Sequence, residues 1–347
     1  MSQNHISPLA ISSLEDQLAA AVLPSERIDA LEKLISRYVY VQPARARRLL
    51  EELRVACAAD PLQELSYNYY LQLGNLDNQE YADDNAEASL REAVRLVDDF
   101  GDISEKIEVY LDYVGILINL GKLDLAREYF DRAARFLESF PSDRLRARAL
   151  CRHGYLYLHS FSYAKATPKF LEADRLLSSG NYDLLLKDHY FYTLVHYGLG
   201  TLLIRPDSED RAANAFRRAI TRCEQKGLGA RLPWHQLALG EVLMGMGNYD
   251  EAVTGFQSII DGNANGSRRA LASAYTNLGI CYFETGESSG AVVRLLDHAE
   301  KLFREEPDPP RAQLVTSPSA APNCAFPTGT CPVPSRCSRP PWTTSNP

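Results

Sequence analysis

Apolar residues return every three or four positions through most of the chain, the spacing that gathers side chains on one face of a helix. Ile28, Leu31, Leu34, Ile35 and Tyr38 form one such face, behind an expected N-cap at Ser25. A marker then recurs inside these patterns: an alanine followed four residues later by a large apolar residue, one turn further along the same face. The alanines are Ala46, Ala86, Ala126, Ala166, Ala212, Ala252 and Ala291, at intervals of 40, 40, 40, 46, 40 and 39. Their large partners are Leu50, Leu90, Phe130, Phe170, Phe216, Phe256 and Leu295. Ala93, Ala133, Ala173 and Ala219 extend the stripe to small-large-small. The pattern predicts an all-α array of repeated helix pairs.

A glycine stands 12 residues before the alanine in five of these units, as Gly74, Gly154, Gly200, Gly240 and Gly279. Glycine inside a helix costs about 1 kcal/mol relative to alanine, so its recurrence needs a packing reason. The expectation is close approach of two helices, with glycine on one facing alanine on the next and the phenylalanines wedged beside them. Between the two helices Gly121, Gly247 and Gly286 each fall five residues before the marker alanine, as helix C-caps.

Here the chain resembles the tetratricopeptide-repeat family, whose unit carries Leu-Gly-x2-Tyr on its first helix and Ala, Phe and Ala on its second. The best matches are "YTNLGICYFETGESSGA", with Tyr275, Leu278, Gly279 and Tyr282 in place, and "LALGEVLMGMGNYDEAVTGF". The resemblance spans about residues 25 to 306 and implies a right-handed superhelical solenoid of about seven helix-turn-helix repeats. The long spacing is similar to that in kinesin light chains and bacterial signalling proteins. Extra residues lie between one alanine and the next glycine, which implies longer helices at one edge of the solenoid.

The ends have a different character. Residues 1–12 are expected to be disordered and 13–306 to form the solenoid. Eleven of the chain's nineteen prolines fall between Pro307 and Pro347, a density no helix survives, so 307–347 is expected to be an unstructured tail. From Arg311 onward its composition is acid-free and Ser/Thr-rich, which fits either a linker or a changed reading frame.

Composition narrows the function. The net charge is -8, and disfavours nucleic acid and anionic membranes as partners. No secretory signal and no membrane-length apolar run is present, so the expected location is cytoplasmic. Cys57, Cys151, Cys223 and Cys281 are scattered singly through helical stretches and read as packed thiols. Cys324, Cys331 and Cys337 lack a C-x2-C pair and a neighbouring histidine, which argues against zinc. The histidines have no ligand spacing, and no nucleophile elbow or phosphate-cradling loop occurs, so neither catalysis, metal nor cofactor is expected.

What remains is a binding surface. The resemblance implies that the first helix of each repeat lines a concave groove. The groove positions flanking the Leu-Gly pair are Asn75 and Asn78; Asp112 and Asn119; Arg148, Arg152, Tyr155 and His159; Tyr197 and Arg205; Trp234 and Glu241. The plain alternative is a solvated helix face. Arg148, Arg152, Tyr155, His159, Tyr197, Arg205 and Trp234 combine positive charge with aromatic surface, which suits a partner segment with acidic and apolar side chains. The clamp with which some family members grip chaperone C-terminal tails is disfavoured, because Asp112 stands where it would repel a carboxylate. The expected function is a non-catalytic scaffold or adaptor that binds a protein or peptide segment. The alternative is the regulatory, sensing region of a signalling enzyme or transcription regulator whose output domain is missing or truncated.

Overall fold

The computed structural model describes residues 9–58, 65–180, 184–205, 207–262 and 267–305. The expectations for residues 1–8, for the tail 307–347 and for its three cysteines lie outside the described residues. Every regular element among the described residues is a helix. A short α1 (Leu9–Ala20) precedes the pairs α2 (Pro24–Val41) with α3 (Pro43–Ala58), α4 (Tyr67–Gln79) with α5 (Asp83–Phe100) and α6 (Ile103–Asn119) with α7 (Leu123–Ser139). Then follow α8 (Asp143–His159) with α9 (Tyr163–Ser178), α10 (Leu186–Leu203) with α11 (Glu209–Lys226), α12 (Leu232–Gly245) with α13 (Tyr249–Gly262), and α14 (Arg268–Glu284) with α15 (Ser289–Arg304). None of these helices is long and apolar enough to cross a membrane.

Two boundaries differ from the sequence expectation. Helix α1 begins at Leu9, inside the stretch expected to be disordered, because Ile11, Leu14 and Leu18 sit one turn apart and pack onto the core beneath α2. Helix α2 begins ahead of Ser25: Leu23 is the N-cap residue and Pro24 takes the first turn. There the Glu26 carboxylate, not a serine hydroxyl, accepts from the backbone N–H groups of Val22 and Leu23, both at 3.2 Å.

Ala46, Ala86, Ala126, Ala166, Ala212 and Ala252 are all fully buried. Ala291 is only half-buried, contrary to expectation, and Ile280, Phe283, Val293 and Leu296 around it are exposed. No helix packs over this last pair among the described residues, so its outer face has nothing to bury against.

The glycines do permit close approach, and at Gly154, Gly200 and Gly240 the nearest atoms belong to the phenylalanine, while Gly74 also meets the Ala86 carbonyl at 3.2 Å. A Cβ built at Gly154 would stand 2.6 Å from Phe170 Cε1, one at Gly200 2.6 Å from Phe216 Cζ, and one at Gly240 2.4 Å from Phe256. Gly74 meets Leu90 in the same way, at 2.6 Å, whereas Gly279 has looser contacts, with Leu296 at 3.3 Å. Phe170 is held from both sides, since a Cβ at Gly198 on α10 would come within 2.5 Å of its Cζ. The ring occupies the space that two missing side chains leave.

The turn inside each of six pairs closes through a left-handed residue five positions before the alanine. It is a glycine at Gly121, Gly247 and Gly286, with φ of 71°, 76° and 79°. At the other three the left-handed residue is Tyr81, Phe161 or Asp207, with φ of 61°, 56° and 67°. The following N–H then reaches back to close the helix, as Lys122 to Leu117 and Ser162 to Tyr157 do at 2.8 Å.

The array curls until its start meets its middle. Helix α2 touches α10 as well as its neighbour α4. Tyr40 at the end of α2 lies against Tyr190 on α10 with ring centroids 5.1 Å apart. One core cluster accordingly joins residues of α1 to α4 with residues of α8 to α11.

Candidate functional site

The curl places the even-numbered helices α4 to α14 around an interior with two zones. The first is a buried layer of charge between α6, α8 and α10. Arg148 Nη1 donates to Glu108 at 2.7 Å and its Nε to Asp188 at 2.8 Å, so one guanidinium spans three helices. Lys187 Nζ donates to Glu108 at 2.8 Å and to Asp112 at 2.6 Å. Arg152 Nε donates to the Leu111 carbonyl at 2.9 Å, with Nη2 3.8 Å from Asp112. Asn75 donates to the other side of Asp112 at 2.8 Å, and Arg144 approaches Asp188 at 3.1 Å from the edge. Burial opposes ionisation of Glu108, but Lys187 and Arg148 outweigh it and hold its carboxyl at about 2. With these partners Arg148 stays charged in spite of burial, its pKa pushed further up by Asp188 and Glu108.

This layer corrects several expectations. Asn75, Asp112 and Arg148 are buried and do not line an open groove. Arg148 and Arg152 are ion-paired within this layer, where with Lys187 and Arg144 they share the carboxylates of Asp188, Glu108 and Asp112 and are not free charges of an open groove. Arg205 is exposed, hydrogen-bonds the Leu202 carbonyl at 3.2 Å and lies away from the cavity.

The second zone is a cavity of about 360 Å³. Of the expected groove residues, Asn78, Asn119, Arg152, Tyr155, His159, Tyr197, Trp234 and Glu241 line it. Tyr155 crosses to donate to the Leu194 carbonyl at 2.8 Å, and Asn119 donates to Asn78 at 3.2 Å. Tyr197 packs edge-on against His235 at 5.5 Å between centroids. Sequence reasoning missed Tyr81, Tyr190, Arg231, His235, Arg269, Ser273 and Phe303, which complete the wall. Tyr81 and Arg231 belong to turns and not to inner helices, so a search along helix faces passes over them.

Arg231 is the most unusual of these. It reaches across the array to Tyr190 Oη at 3.2 Å and Asn78 Oδ1 at 3.4 Å, and its guanidinium lies 5.2 Å from the Tyr81 ring centroid. Trp234 also packs against Tyr81, tilted, with ring centroids 5.2 Å apart. Several buried polar atoms here have no protein partner: Arg231 Nε, Trp234 Nε1, the Tyr81 hydroxyl and both ring nitrogens of His235. Burial, with Arg231 and His196 adding to it, pushes the His235 imidazole down to about 3, so it is neutral at ordinary pH. Burial likewise raises the Tyr81 phenol to about 12, which keeps it protonated.

A sequence profile of the tetratricopeptide repeat matches residues 107–136, covering most of α6 and most of α7. No curated protein matches the chain. Among solved structures, a Rap protein complexed with Competence and Sporulation Factor is similar over 87% of this chain and 78% of that one, at 17% identity and a TM-score of 0.59. NprR in complex with its cognate peptide NprX is similar over 84% of this chain and 82% of that one, at 14% identity and a TM-score of 0.59. A signal transduction ATPase with a tetratricopeptide-repeat sensor, from Pyrococcus horikoshii, is similar over 86% of this chain and 53% of that one, at 12% identity and a TM-score of 0.51. At these identities the likeness is one of fold.

Proposed function

We propose that the chain, which carries a match to the tetratricopeptide repeat at residues 107–136 and shares its fold with solved repeat proteins, is a non-catalytic receptor for a short peptide segment, bound inside the curled array. The observation that carries this reading is the cavity wall. Tyr81, Tyr155, Tyr190, Tyr197, Trp234 and Phe303 surround a space of the size that takes a small ligand or a few residues of chain. Aromatic rings supply contact area at low conformational cost, while Asn78, Asn119 and Arg231 offer polar groups to a peptide backbone or side chain. The fold shared with NprR, whose structure holds a cognate peptide, supports the reading. The sensor-bearing ATPase supports a regulatory version of it, in which the filled array acts on an output domain.

The test is affinity selection of an unrestricted synthetic pentapeptide library on the full chain, read by mass spectrometry. Ser273 is half-buried in the cavity wall, so Ser273→Trp narrows the space while leaving the core helices packed. Retained peptides should be lost from Ser273→Trp while the far-UV circular dichroism is unchanged. Equal retention by both proteins would move the recognition surface elsewhere on the molecule.

A further inference from the structure

The two ends of the array are finished differently. At the first end α1 lies over the opening pair: Ile11, Leu14 and Leu18 pack onto its core, and Glu15 accepts from Tyr38 on α2 at 2.6 Å and from Arg45 on α3. At the last end, among the described residues, no helix covers α14 and α15.

That uncovered side is nonetheless built like a buried one. On α15 Val293, Leu296 and Phe303 share one stripe with a single acid, Glu300, at spacings of three and four; on α14 Ile280 and Phe283 lie one turn apart. Forty residues earlier the positions of Phe283 and Leu296 hold Leu243 and Phe256, in one core cluster with the next pair. Those two are 2% and 0% exposed, whereas Phe283 and Leu296 are 63% and 41% exposed. A terminal unit that faced water would need a polar outer face, and this one keeps the composition of an inner unit.

Three observations select a second copy of the chain as the cover. The sequence after α15 has eleven prolines between Pro307 and Pro347, a pattern with no amphipathic helix in it. The face is large enough: helices of 17 and 16 residues, about 25 Å long and about 9 Å apart, present about 500 Å² in projection, which side-chain relief brings near the ~800 Å² per partner of a standard interface. Its rim carries both signs, with Asp297 and Glu300 beside Arg294 and Arg304, so a copy turned about a two-fold axis can set each charge against its opposite.

We propose that two copies of the chain associate through α14 and α15 about a two-fold axis, closing the two helix pairs into a four-helix layer around Phe283, Val293 and Leu296. Because α1 covers the first end, head-to-tail stacking has no second open end to meet, and assembly stops at two. Phe303, at the end of the stripe, also lines the cavity, but Ile280, Phe283, Val293 and Leu296 do not, so the inference stands apart from the peptide reading.

Sedimentation equilibrium of the full chain, with reductant present to keep its cysteines free, should find twice the mass of one chain at about 50 μM and no larger species. Phe283→Glu on α14 and Val293→Glu on α15 alter exposed side chains, and each should weaken association at least tenfold with the far-UV circular dichroism unchanged. Should one of them fold poorly, the other carries the test from a different helix. Leu171→Glu, at an exposed apolar residue on α9, should leave the dimer intact. A single-chain mass at that concentration overturns the inference, as does association that the glutamate variants leave unchanged. Mass that keeps growing past two copies also overturns it, since that is the mark of head-to-tail stacking.

Discussion

Replacing glycine by alanine inside a helix ordinarily stabilises, and at Gly154 it should do the opposite. The added methyl would stand 2.6 Å from Phe170 Cε1 and 2.8 Å from Cδ1 and Cζ, where ordinary contact begins at 3.4 Å. The ring would have to retreat by close to 1 Å, toward a helix already in contact, since Gly198 itself has no room for a Cβ within 2.5 Å of Cζ. Overpacking of this kind costs about 1–3 kcal/mol. Relief of glycine's helix penalty returns about 0.5–1 kcal/mol, so the net loss should be up to about 2.5 kcal/mol. Gly255 in α13 is the internal control, because nothing lies within 4 Å of its Cβ position. There the same substitution should stabilise by about 0.5–1 kcal/mol. Urea unfolding followed by far-UV circular dichroism reads both, and Phe170→Leu in the Gly154→Ala background should recover part of the loss by shrinking the ring. If Gly154→Ala were as stable as Gly255→Ala, the two-sided grip on Phe170 would be wrong.

Two further outcomes follow from the turns and from the buried histidine. Phe161 holds a left-handed backbone with its side chain 67% exposed, so Phe161→Gly should raise stability by up to about 1 kcal/mol in thermal or urea unfolding, and a loss of stability would show that the exposed ring matters. His235 is neutral in the fold down to about pH 3, whereas the unfolded chain takes up its proton near pH 6.5, so acid favours the unfolded state across that window. The stability conferred by the neutral ring is therefore present above about pH 6.5 and falls by up to about 1.4 kcal/mol per pH unit below it. His235→Phe should flatten the stability-pH curve between about 6.5 and 3, an effect absent if the wild-type and variant curves run parallel.

The helical framework was legible because it is periodic. Six marker alanines are buried where the pattern put them, and Gly121, Gly247 and Gly286 do adopt the left-handed conformation that a C-cap needs. Tyr81 and Phe161 do the same work without glycine, since the closing hydrogen bonds of Ala82 to Asp77 and Ser162 to Tyr157 hold the conformation on whatever residue is there, and Asp207 adopts it too. The charges were misread for a reason of distance. Glu108, Arg148 and Asp188 are separated by 40 positions each, and the pairs form only once the helices are stacked. Acid, base, acid at the same position of successive units was a signal in the sequence for a buried ladder, just as recurring alanines were for the core. Arg231 had no such signal. It lies before α12, and its neighbours Asn78 and Tyr81 come from the end of α4 and the turn after it, about 150 residues earlier, so only the curl of the array brings them together.

That curl changes how the molecule holds together as a thermodynamic system. In an open solenoid each unit is coupled to its two neighbours, and the ends can fray without consulting the middle. Here the contacts of Tyr40 with Tyr190, and of Arg231 with Asn78 across 153 positions, join units far apart along the chain. The line of nearest-neighbour couplings becomes a closed circuit from α2 to α12. Melting the first hairpin then removes support from the fifth, and the enclosed part behaves as one cooperative block, while α14 and α15, whose outer face no helix covers among the described residues, stand outside that circuit as the segment that can open on its own.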